Sequence, residues 1–332
     1  MNMPRAPHAD GRPTPTSALS LDELLTFPGG LDGTPYTPLD RLGWGMWTEV
    51  LACDGPAAED VVVKVVRPGC VLPEEAAVRL RQEAALLARV DHPSVVAVHD
   101  TGETEDGRPY FVMPRLFGET ALGRLRRRGC PLRPGRAVRV LMDVLDGLAA
   151  LHAAGIIHRD VKPSNVFHAD AVDARGRRSE RAVLLDLSVA HGGEDDPSWS
   201  AGSVVGTPRY LAPEQIRAEA VDGRTDVYAA GLLAFELMAG RGPFDAVSTR
   251  SLFVAHLEAE PHPLSDFAEV SPGLEAVIAT ALEKRPERRF PSAGAFRTAL
   301  LGAAGIDPRP RPTEEPAYVL GSLRGAFLRG AA

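Results

Sequence analysis

Nine consecutive residues near the middle of the chain, Ile157 to Asn165, constrain its structure more than any other stretch. They read Ile-His-Arg-Asp-Val-Lys-Pro-Ser-Asn. Asp160 offers a carboxylate, Lys162 an ammonium and Asn165 an amide oxygen, groups that suit a hydroxyl, a phosphate and a divalent cation. The helical pattern before them stops at Gly155, because glycine readily adopts the left-handed conformation that commonly ends a helix. The sequence therefore predicts a polar loop that leaves a helix.

This stretch resembles the catalytic loop of the eukaryotic-like (Hanks-type) bacterial Ser/Thr protein kinase family. The resemblance implies that Asp160 orients the acceptor hydroxyl, that Lys162 contacts the transferred phosphate and that Asn165 binds magnesium. A plain polar turn between a helix and a strand is the alternative interpretation. The pattern from His158 to Asn165 is more specific than a bare His-Arg-Asp, and it favours the catalytic loop.

Length, charge and cysteine content narrow the class of protein. A chain of 332 residues with 44% apolar residues forms one large domain or two smaller ones. A net charge of −7 argues against nucleic acid as a partner, and the basic run from Arg124 to Arg128 is expected to form a solvated helix face. Cys53, Cys70 and Cys130 are too far apart for a zinc site, and the N-terminus lacks the apolar core of a signal peptide. We therefore expect a cytoplasmic protein without a membrane span. Nothing in these features argues against a homodimer.

Lysine is rare in this chain. Lys64, Lys162 and Lys284 are its lysines, and every other basic position holds arginine. Two of the three fall in motifs that resemble those of the family. A compact ammonium makes a point-charge contact with phosphate where a planar guanidinium would need more room, so both positions favour a phosphate contact.

The motifs divide the chain into four predicted segments. Residues 1–35 are a Pro-rich leader that is expected to be disordered or extended. Residues 36–116 are predicted to form a β-rich N-lobe and residues 117–305 a mainly helical C-lobe. Residues 306–332 are a Pro/Arg-rich tail, in which a short amphipathic helix is predicted from Tyr318 onward.

The predicted N-lobe contains a glycine hairpin and a lysine strand. Gly43 and Gly45 lie at the hairpin tip, where glycine lets backbone N–H groups approach phosphate oxygens, and Thr48 replaces a third glycine of the family pattern. Lys64, in the strand Val61–Val66, resembles the lysine that contacts the α- and β-phosphates. An ordinary hairpin and a lysine that reaches solvent from an edge strand are the alternatives.

Pro73-Glu74-Glu75 is predicted to open an amphipathic helix that runs over residues 76–90. Glu83 matches the family glutamate that pairs with the strand lysine in the active state, although a solvated glutamate is the alternative. The apolar face of this helix is expected to comprise Val78, Leu80, Leu86, Leu87 and Val90.

The resemblance also implies an adenine pocket. Met113 would be the gatekeeper of this pocket, and Leu116 would supply a hinge N–H. Val62 stands where the family usually has a smaller residue and would narrow the pocket, and Val50 would line it.

The predicted C-lobe combines helices with two short strands. Asp226 is predicted to be the N-cap of a buried helix, and in the family the same residue tethers the catalytic loop. Helices are predicted over residues 120–128, 134–154 and 227–240, and strands over residues 166–167 and 182–185 flank a polar tip at residues 170–181.

Asp186-Leu187-Ser188 occupies the place of the family's Asp-Phe-Gly. The resemblance implies that Asp186 binds the magnesium ion that bridges the β- and γ-phosphates. Ser188 is the chief departure, because it removes backbone freedom from a hinge while leaving every metal ligand in place.

Residues 191–205 are small, polar and acidic, as expected of an activation segment. Ser198, Ser200 and Ser203 are candidate phosphorylation sites whose phosphate would pair with Arg159. A flexible loop without a switch is the alternative.

The stretch Gly206–Glu214 resembles the family segment that seats the substrate. Thr207 would bond towards Asp160 and Lys162, an arrangement that points to Ser and Thr acceptors. Glu214 is expected to pair with Arg289.

The resemblance covers residues 36–304, with the motifs in the family's order. It implies an α+β, bilobal protein-kinase fold, with a small β-rich N-lobe carrying one regulatory helix and a larger, mainly α-helical C-lobe. It also implies an ATP-dependent Ser/Thr protein kinase that uses Mg²⁺, or Mn²⁺ in its place, to phosphorylate protein substrates and its own activation segment. Thr48, Val62 and Ser188 motivate the alternative, a pseudokinase-like nucleotide-binding scaffold. A small-molecule phosphotransferase is a third interpretation, against which the Ala-Pro-Glu segment argues.

Overall fold

The computed structural model shows a β-sheet lobe followed by a larger helical lobe. It describes residues 30–172, 178–190, 207–305 and 317–318. Nearly all of the predicted leader, the predicted activation segment with its three serines, and most of the tail lie outside these ranges. The predicted two-lobed α+β architecture is confirmed, whereas the division into four segments stays a prediction.

The first lobe is a five-stranded antiparallel sheet with the strand order β1-β2-β3-β5-β4. Alternating apolar residues of the sheet pack with Leu31 and Tyr36 into a small core. Lys64 lies in β3 between Val50 of β2 and Phe111 of β5. The strands are β1 Thr37–Trp44, β2 Thr48–Asp54, β3 Asp60–Val66, β4 Asp100–Glu103 and β5 Pro109–Pro114.

Helix α1, Pro73–Leu87, packs beside this sheet and begins with a proline and two glutamates, residue types that favour a helix N-terminus. It opens with these three residues as predicted, and it ends three residues earlier than predicted. Leu80 and Leu87 are buried, but Val78 is 51% exposed, so its predicted place on the apolar face is wrong. A helix that is covered on one side buries only the side chains that face its neighbour, and this set is smaller than the five apolar residues predicted for the face.

The second lobe is built around a buried helix, α5, most of whose side chains are shielded from solvent. The helices Pro134–Ala153, Pro272–Ala281 and Ala293–Ala303 pack against it, and their apolar side chains share one continuous core with it. The helices of this lobe are α2 Ala121–Arg128, α3 Pro134–Ala153, α4 Pro213–Ile216, α5 Gly223–Ala239, α6 Thr249–Glu258, α7 Pro272–Ala281 and α8 Ala293–Ala303. Among the described residues, no helix is both long and apolar enough to cross a membrane.

A small antiparallel sheet lies beside the cleft between the lobes. Its strands are β6 Gly118–Thr120, β7 Val166–Val172, β8 Arg178–Leu184 and β9 Ala317–Tyr318, in the order β6-β7-β8 with β9 also paired to β7. The two predicted strands were too short, because mutual pairing extends β7 and β8 through polar residues that the sequence assigned to a tip. Tyr318 lies in a strand, not at the start of the predicted helix.

The N-cap of α5 differs from the prediction. Asp222 caps the helix, because its side chain accepts a 2.8 Å hydrogen bond from the Arg224 amide. Asp226 lies one turn further along, inside the helix, and is wrongly predicted as the cap. Its carboxylate is therefore available for another contact.

Candidate active site

The predicted catalytic loop forms a compact polar cluster. Gly155 ends α3 with a φ of +72°, as the left-handed cap requires. The Lys162 ammonium lies 2.5 Å from the Asp160 carboxylate, and the Asn165 amide donates 3.0 Å and 2.9 Å hydrogen bonds to the carboxylate and carbonyl of Asp160. These three predicted site residues are brought together.

The predicted substrate-seating segment reaches this cluster through Thr207. Its hydroxyl donates to the Asp160 carboxylate at 3.2 Å and accepts from the Lys162 ammonium at 2.7 Å. Both predicted contacts are confirmed. The carboxylate, the ammonium and the hydroxyl therefore hold one another in place.

Asp226 fixes the backbone of the catalytic loop. Its buried carboxylate accepts hydrogen bonds from the amides of His158 at 2.9 Å and Arg159 at 2.8 Å, and it lies 2.7 Å from the His152 ring. Burial opposes the negative charge, but the hydrogen bond and positive charge of His152 outweigh it and hold the pKa of Asp226 below its ordinary value. The predicted tether is confirmed.

A second polar cluster joins the two lobes. The Lys64 ammonium contacts both Glu83 carboxylate oxygens, at 2.7 and 2.8 Å, and lies 3.3 Å from Asp186. The predicted pairing of Lys64 with Glu83 is confirmed, and the solvated alternative for Glu83 is wrong because this residue is buried. Three residues that are far apart in the sequence thus form one ion network.

The charges of this network depend on one another. Burial would lower the pKa of Lys64, but the carboxylates of Glu83 and Asp186 outweigh burial and hold it above the ordinary value. Burial also raises the pKa of Glu83 to about 7. Burial would likewise raise the pKa of Asp186, but the Lys64 charge and the hydrogen bond from Ser188 outweigh it and lower that pKa.

The departure at Ser188 is accommodated without strain at that residue. Asp186, not Ser188, has the left-handed backbone, with a φ of +64°. The Ser188 amide donates a 2.9 Å hydrogen bond to the Asp186 carboxylate. In this conformation the position held by Ser188 makes no demand for glycine.

The clusters border a cavity of about 700 Å³ between the lobes, within the 300–1,000 Å³ range of small-molecule sites. Its lining is mainly apolar at one side and charged at the other. Ten predicted residues line it, namely Gly43, Gly45, Val50, Val62, Lys64, Glu83, Met113, Leu116, Asn165 and Asp186. Asp160 and Lys162 do not line it, and Asn165 connects them to it.

Sequence reasoning missed part of the apolar wall. Leu42 and Leu185 line the cavity and directly precede Gly43 and Asp186, so adjacency to predicted site residues would have found them. Phe167 also lines it, from the start of β7. Its inward position depends on the pairing of β7 with β6 and has no signal in the sequence alone.

The oxygen atoms near the cavity fit a hard divalent cation. The amide nitrogen of Asn165 is engaged with Asp160. Its oxygen accepts a 3.3 Å hydrogen bond from the Ser164 hydroxyl and keeps a second lone pair, and Asp186 contributes a carboxylate to the same cavity lining. Within the described residues no cluster of three or more His, Cys, Asp or Glu side chains could hold a metal alone. Two protein oxygens completed by substrate phosphates are a usual Mg²⁺ environment.

The substrate-seating segment is anchored by the predicted buried ion pair. Arg289 donates to both oxygens of Glu214 at 2.7 and 2.8 Å, and the Thr225 hydroxyl donates to the same carboxylate at 2.8 Å. Because Glu214 lies at the start of α4, the pair holds the end of this segment against the helical core.

The structure has the features of the class of protein kinases. These are two lobes, a nucleotide-sized cavity between them, and a lysine–glutamate–aspartate network beside the predicted catalytic loop. The chain belongs to the protein kinase family, since the family model described as "Protein kinase domain" matches residues 36–300.

Similar proteins belong to the bacterial Ser/Thr branch of this family. The serine/threonine-protein kinase PknB of Mycobacterium tuberculosis is 36% identical over 315 residues, which cover 93% of this chain and 48% of PknB. The serine/threonine-protein kinase pkn3 of Myxococcus xanthus is 35% identical over 274 residues, covering 79% of this chain and 49% of pkn3. The chain thus spans about half the length of these curated relatives.

A solved structure agrees with the fold. The chain is similar to a point-mutant form of the PknI kinase domain of Mycobacterium tuberculosis, with a TM-score of 0.60 and 29% identity. The similarity covers 82% of this chain and 96% of that kinase domain.

Proposed function

We propose that this chain is an ATP-dependent kinase that transfers the γ-phosphate of Mg-ATP to Ser and Thr hydroxyls of proteins. The observation that carries the proposal is the ion network of Lys64, Glu83 and Asp186 in the same cleft as Asn165. This network is assembled in the arrangement that resembles the family's active state, so the charged positions that the chemistry needs are present together.

Lys64 is proposed to contact the α- and β-phosphates. Its ammonium is held by Glu83, which fixes its position inside the cavity. Gly43 and Gly45 are proposed to form the cover over the phosphates. A Cβ atom at Gly43 would meet no other atom of the chain within 4 Å, so the chain itself does not require glycine there, whereas a closely approaching phosphate would.

Asp160 is proposed to orient the acceptor hydroxyl and to accept its proton. Lys162 and Asn165 hold the carboxylate, and Thr207 occupies its other oxygen in the absence of an acceptor's hydroxyl. Lys162 is proposed to balance the charge that develops on the transferred phosphate. The proximity of the seating segment to Asp160 supports Ser and Thr as the acceptors.

Asn165 and Asp186 are proposed to hold Mg²⁺, with Mn²⁺ as a substitute because it also accepts oxygen ligands. When bound, the ion neutralises charge on the β- and γ-phosphates. Adenine is proposed to lie between Val50, Val62 and the Met113–Leu116 segment.

The compartment and assembly state are proposed from the sequence. The cysteines are unpaired in the structure, which supports a reducing, cytoplasmic environment. The negative net charge supports protein rather than nucleic acid as the partner. A homodimer is compatible with this net charge.

Transfer of label from γ-labelled ATP tests the proposal. The full-length protein with Mg²⁺ should label itself or a Ser/Thr-rich acceptor protein, and acid hydrolysis should release phosphoserine or phosphothreonine. Lys64→Met and Asp186→Asn should each slow labelling about 100-fold or more, because each removes a charge that acts on the phosphates. Peptide mass spectrometry would locate any label on Ser198, Ser200 or Ser203.

Asp266→Asn is the matched control, because Asp266 is an exposed aspartate remote from the cavity lining. It should label at the wild-type rate. Nucleotide binding without transfer would indicate a scaffold and contradict the proposal. Label found only on small molecules would indicate the small-molecule phosphotransferase.

A further inference from the structure

Arginine is concentrated in one stretch of the helical lobe. Between Thr120 and Asp143 the sequence contains seven arginines and neither aspartate nor glutamate, although the whole chain has a net charge of −7. The stretch comprises α2, the connection after it and the first half of α3. Such a local excess of positive charge attracts anions, whether they are side chains of the same chain or external groups.

Three of the seven arginines have internal partners. Arg124 makes a bidentate contact with Glu180 at 2.8 and 3.0 Å and a 2.9 Å contact with Glu119. Arg127 also contacts Glu119, and Arg136 also contacts Glu180. These contacts join α2 and α3 to the small sheet, so they account structurally for part of the cluster.

Three of the other four arginines lie around a concave surface. Arg128, Arg133 and Arg139, together with Arg136, line a crevice of about 720 Å³. Within the part of the chain that the structure describes, no carboxylate lines this crevice. Arg128, Arg133 and Arg139 make no ion pair with a carboxylate of these described residues. We call this surface the arginine crevice. Arg136 is already paired with Glu180, whereas the other three guanidinium groups repel each other, and an anion bound between them would relieve this repulsion.

We propose that the arginine crevice binds the phosphate group of a phosphorylated Ser or Thr residue of a protein. A phosphate monoester carries nearly two negative charges and three acceptor oxygens, so several guanidinium groups can bind it at once. A carboxylate carries one negative charge and balances the charge of one guanidinium group. The crevice also borders the first turn of α3 at Gly135, where backbone N–H groups add positive potential.

The lining disfavours other anions of large size. Among the described residues no aromatic side chain lines the crevice, so they offer single-stranded nucleic acid no base-stacking platform. Pro131 and Cys130 are its uncharged side chains, so it lacks the large apolar side chains that insert into a bilayer. None of its lining residues lines the nucleotide cavity, so docking of a phosphorylated partner here would leave the cleft free.

Binding without nucleotide tests the proposal on the full-length protein. The probe is a short Ala/Gly peptide with one central phosphoserine, compared with the same peptide carrying serine or glutamate, by isothermal titration calorimetry. Only the phosphopeptide should bind well, and Arg133→Gln and Arg139→Gln should each weaken it about tenfold through loss of a charge-assisted hydrogen bond. Both side chains are exposed, so these substitutions should leave the fold intact.

Arg126→Gln is the matched control, because Arg126 is exposed on α2 and its substitution removes the same charge from a position that does not line the crevice. It should leave the affinity within about twofold, since exposed charges outside the contact are screened. Equal weakening in Arg126→Gln would indicate a diffuse electrostatic effect and overturn the site. So would equal binding of the serine peptide, or tighter binding of single-stranded RNA or anionic vesicles.

Cys130 provides a second readout, because it is exposed and lines the crevice, whereas Cys53 is buried and serves as the internal reference. The phosphopeptide should slow alkylation of Cys130 and leave Cys53 unchanged. Lys64→Met should retain phosphopeptide binding in full, which separates a failure of this site from a failure of the proposed kinase activity. Unprotected Cys130 at saturating phosphopeptide would contradict the assignment.

Discussion

Two residues of the candidate active site have left-handed backbone conformations that residues other than glycine rarely adopt. Arg159 has a φ of +66° and Asp186 a φ of +64°. Each such residue costs about 1–3 kcal/mol and persists only where its surroundings fix it. Asp226 fixes Arg159 through its amide, and the Ser188 amide bonds the Asp186 side chain. The strain therefore lies at the residue directly before Asp160 and at Asp186, one of the two proposed metal ligands.

The protonation of Glu83 predicts how activity responds to pH. Burial raises its pKa from 4.5 to about 7, so the side chain gains a proton as the pH falls through this value. A protonated Glu83 attracts Lys64 much less than its carboxylate does, and Lys64 loses its fixed position. Activity at saturating Mg-ATP should therefore fall on the acid side of about pH 7 and be restored on return to higher pH.

Glu83→Gln is the variant that identifies the group. Without a titrating carboxylate the acid limb should disappear, and activity should be about 100-fold lower throughout because Lys64 is no longer held. Steady-state rates measured from about pH 5.5 to about pH 8.5 would cover both sides of the Glu83 pKa and report both effects. An acid limb that persists in Glu83→Gln would assign it to another group.

At the scale of elements, the pair of Glu214 and Arg289 joins α4 to the end of the helical lobe. The pair is almost fully buried, and removal of either partner leaves the other charge without its counter-ion. Arg289→Leu and Glu214→Leu should each lower the free energy of unfolding by about 3–5 kcal/mol. Urea denaturation followed by circular dichroism would measure this change.

The double variant Glu214→Leu/Arg289→Leu completes the cycle. It should lose clearly less stability than the two single variants together, because no buried charge is left unpaired. Additive losses would show that the two side chains stabilise the fold through separate contacts, such as the bonds of Arg289 to the carbonyls of Lys284 and Arg224.

The elements also show where sequence reasoning succeeds. The positions of α1, α2, α3 and α5 followed from apolar spacing, and the pairings of Lys64 with Glu83 and of Glu214 with Arg289 followed from the resemblance to the family's ordered motifs. The cap of α5 did not, because Asp222 and Asp226 are one turn apart and either can precede the apolar run. Only the packing of α5 under the catalytic loop decides that Asp226 faces the His158 amide. Likewise, the length of β7 depends on its neighbouring strands and not on its own residues.

At the scale of the whole molecule, the two lobes are joined beside the ion network. The segment after α1 pairs with β8, since Leu184 donates to the Ser94 carbonyl at 2.8 Å and Val96 donates to the Leu184 carbonyl at 3.0 Å. Leu184 lies two residues before Asp186, and α1 carries Glu83. Movement of α1 relative to β8 would therefore separate the network, so the orientation of the lobes and the state of the site are coupled.

A ligand that bridges the lobes should stabilise the whole fold. At a concentration about 100-fold above its Kd, Mg-ATP should add about 2.7 kcal/mol to the free energy of unfolding. For a folded region of this size that corresponds to an increase in Tm of about 5 °C. Differential scanning calorimetry with a non-hydrolysable ATP analogue would measure the increase without turnover.

The metal-dependent part of this increase tests the role proposed for Asp186. Removal of Mg²⁺ with EDTA should reduce the increase in Tm to that of the nucleotide alone. Asp186→Asn should show the same smaller increase with or without Mg²⁺, because an amide binds a hard cation poorly and contributes no charge. Asp266→Asn should respond as the wild type does. A full Mg²⁺-dependent increase in the Tm of Asp186→Asn would show that other groups bind the metal. Loss of this increase would show that one carboxylate between the lobes couples metal binding to the stability of the entire kinase fold.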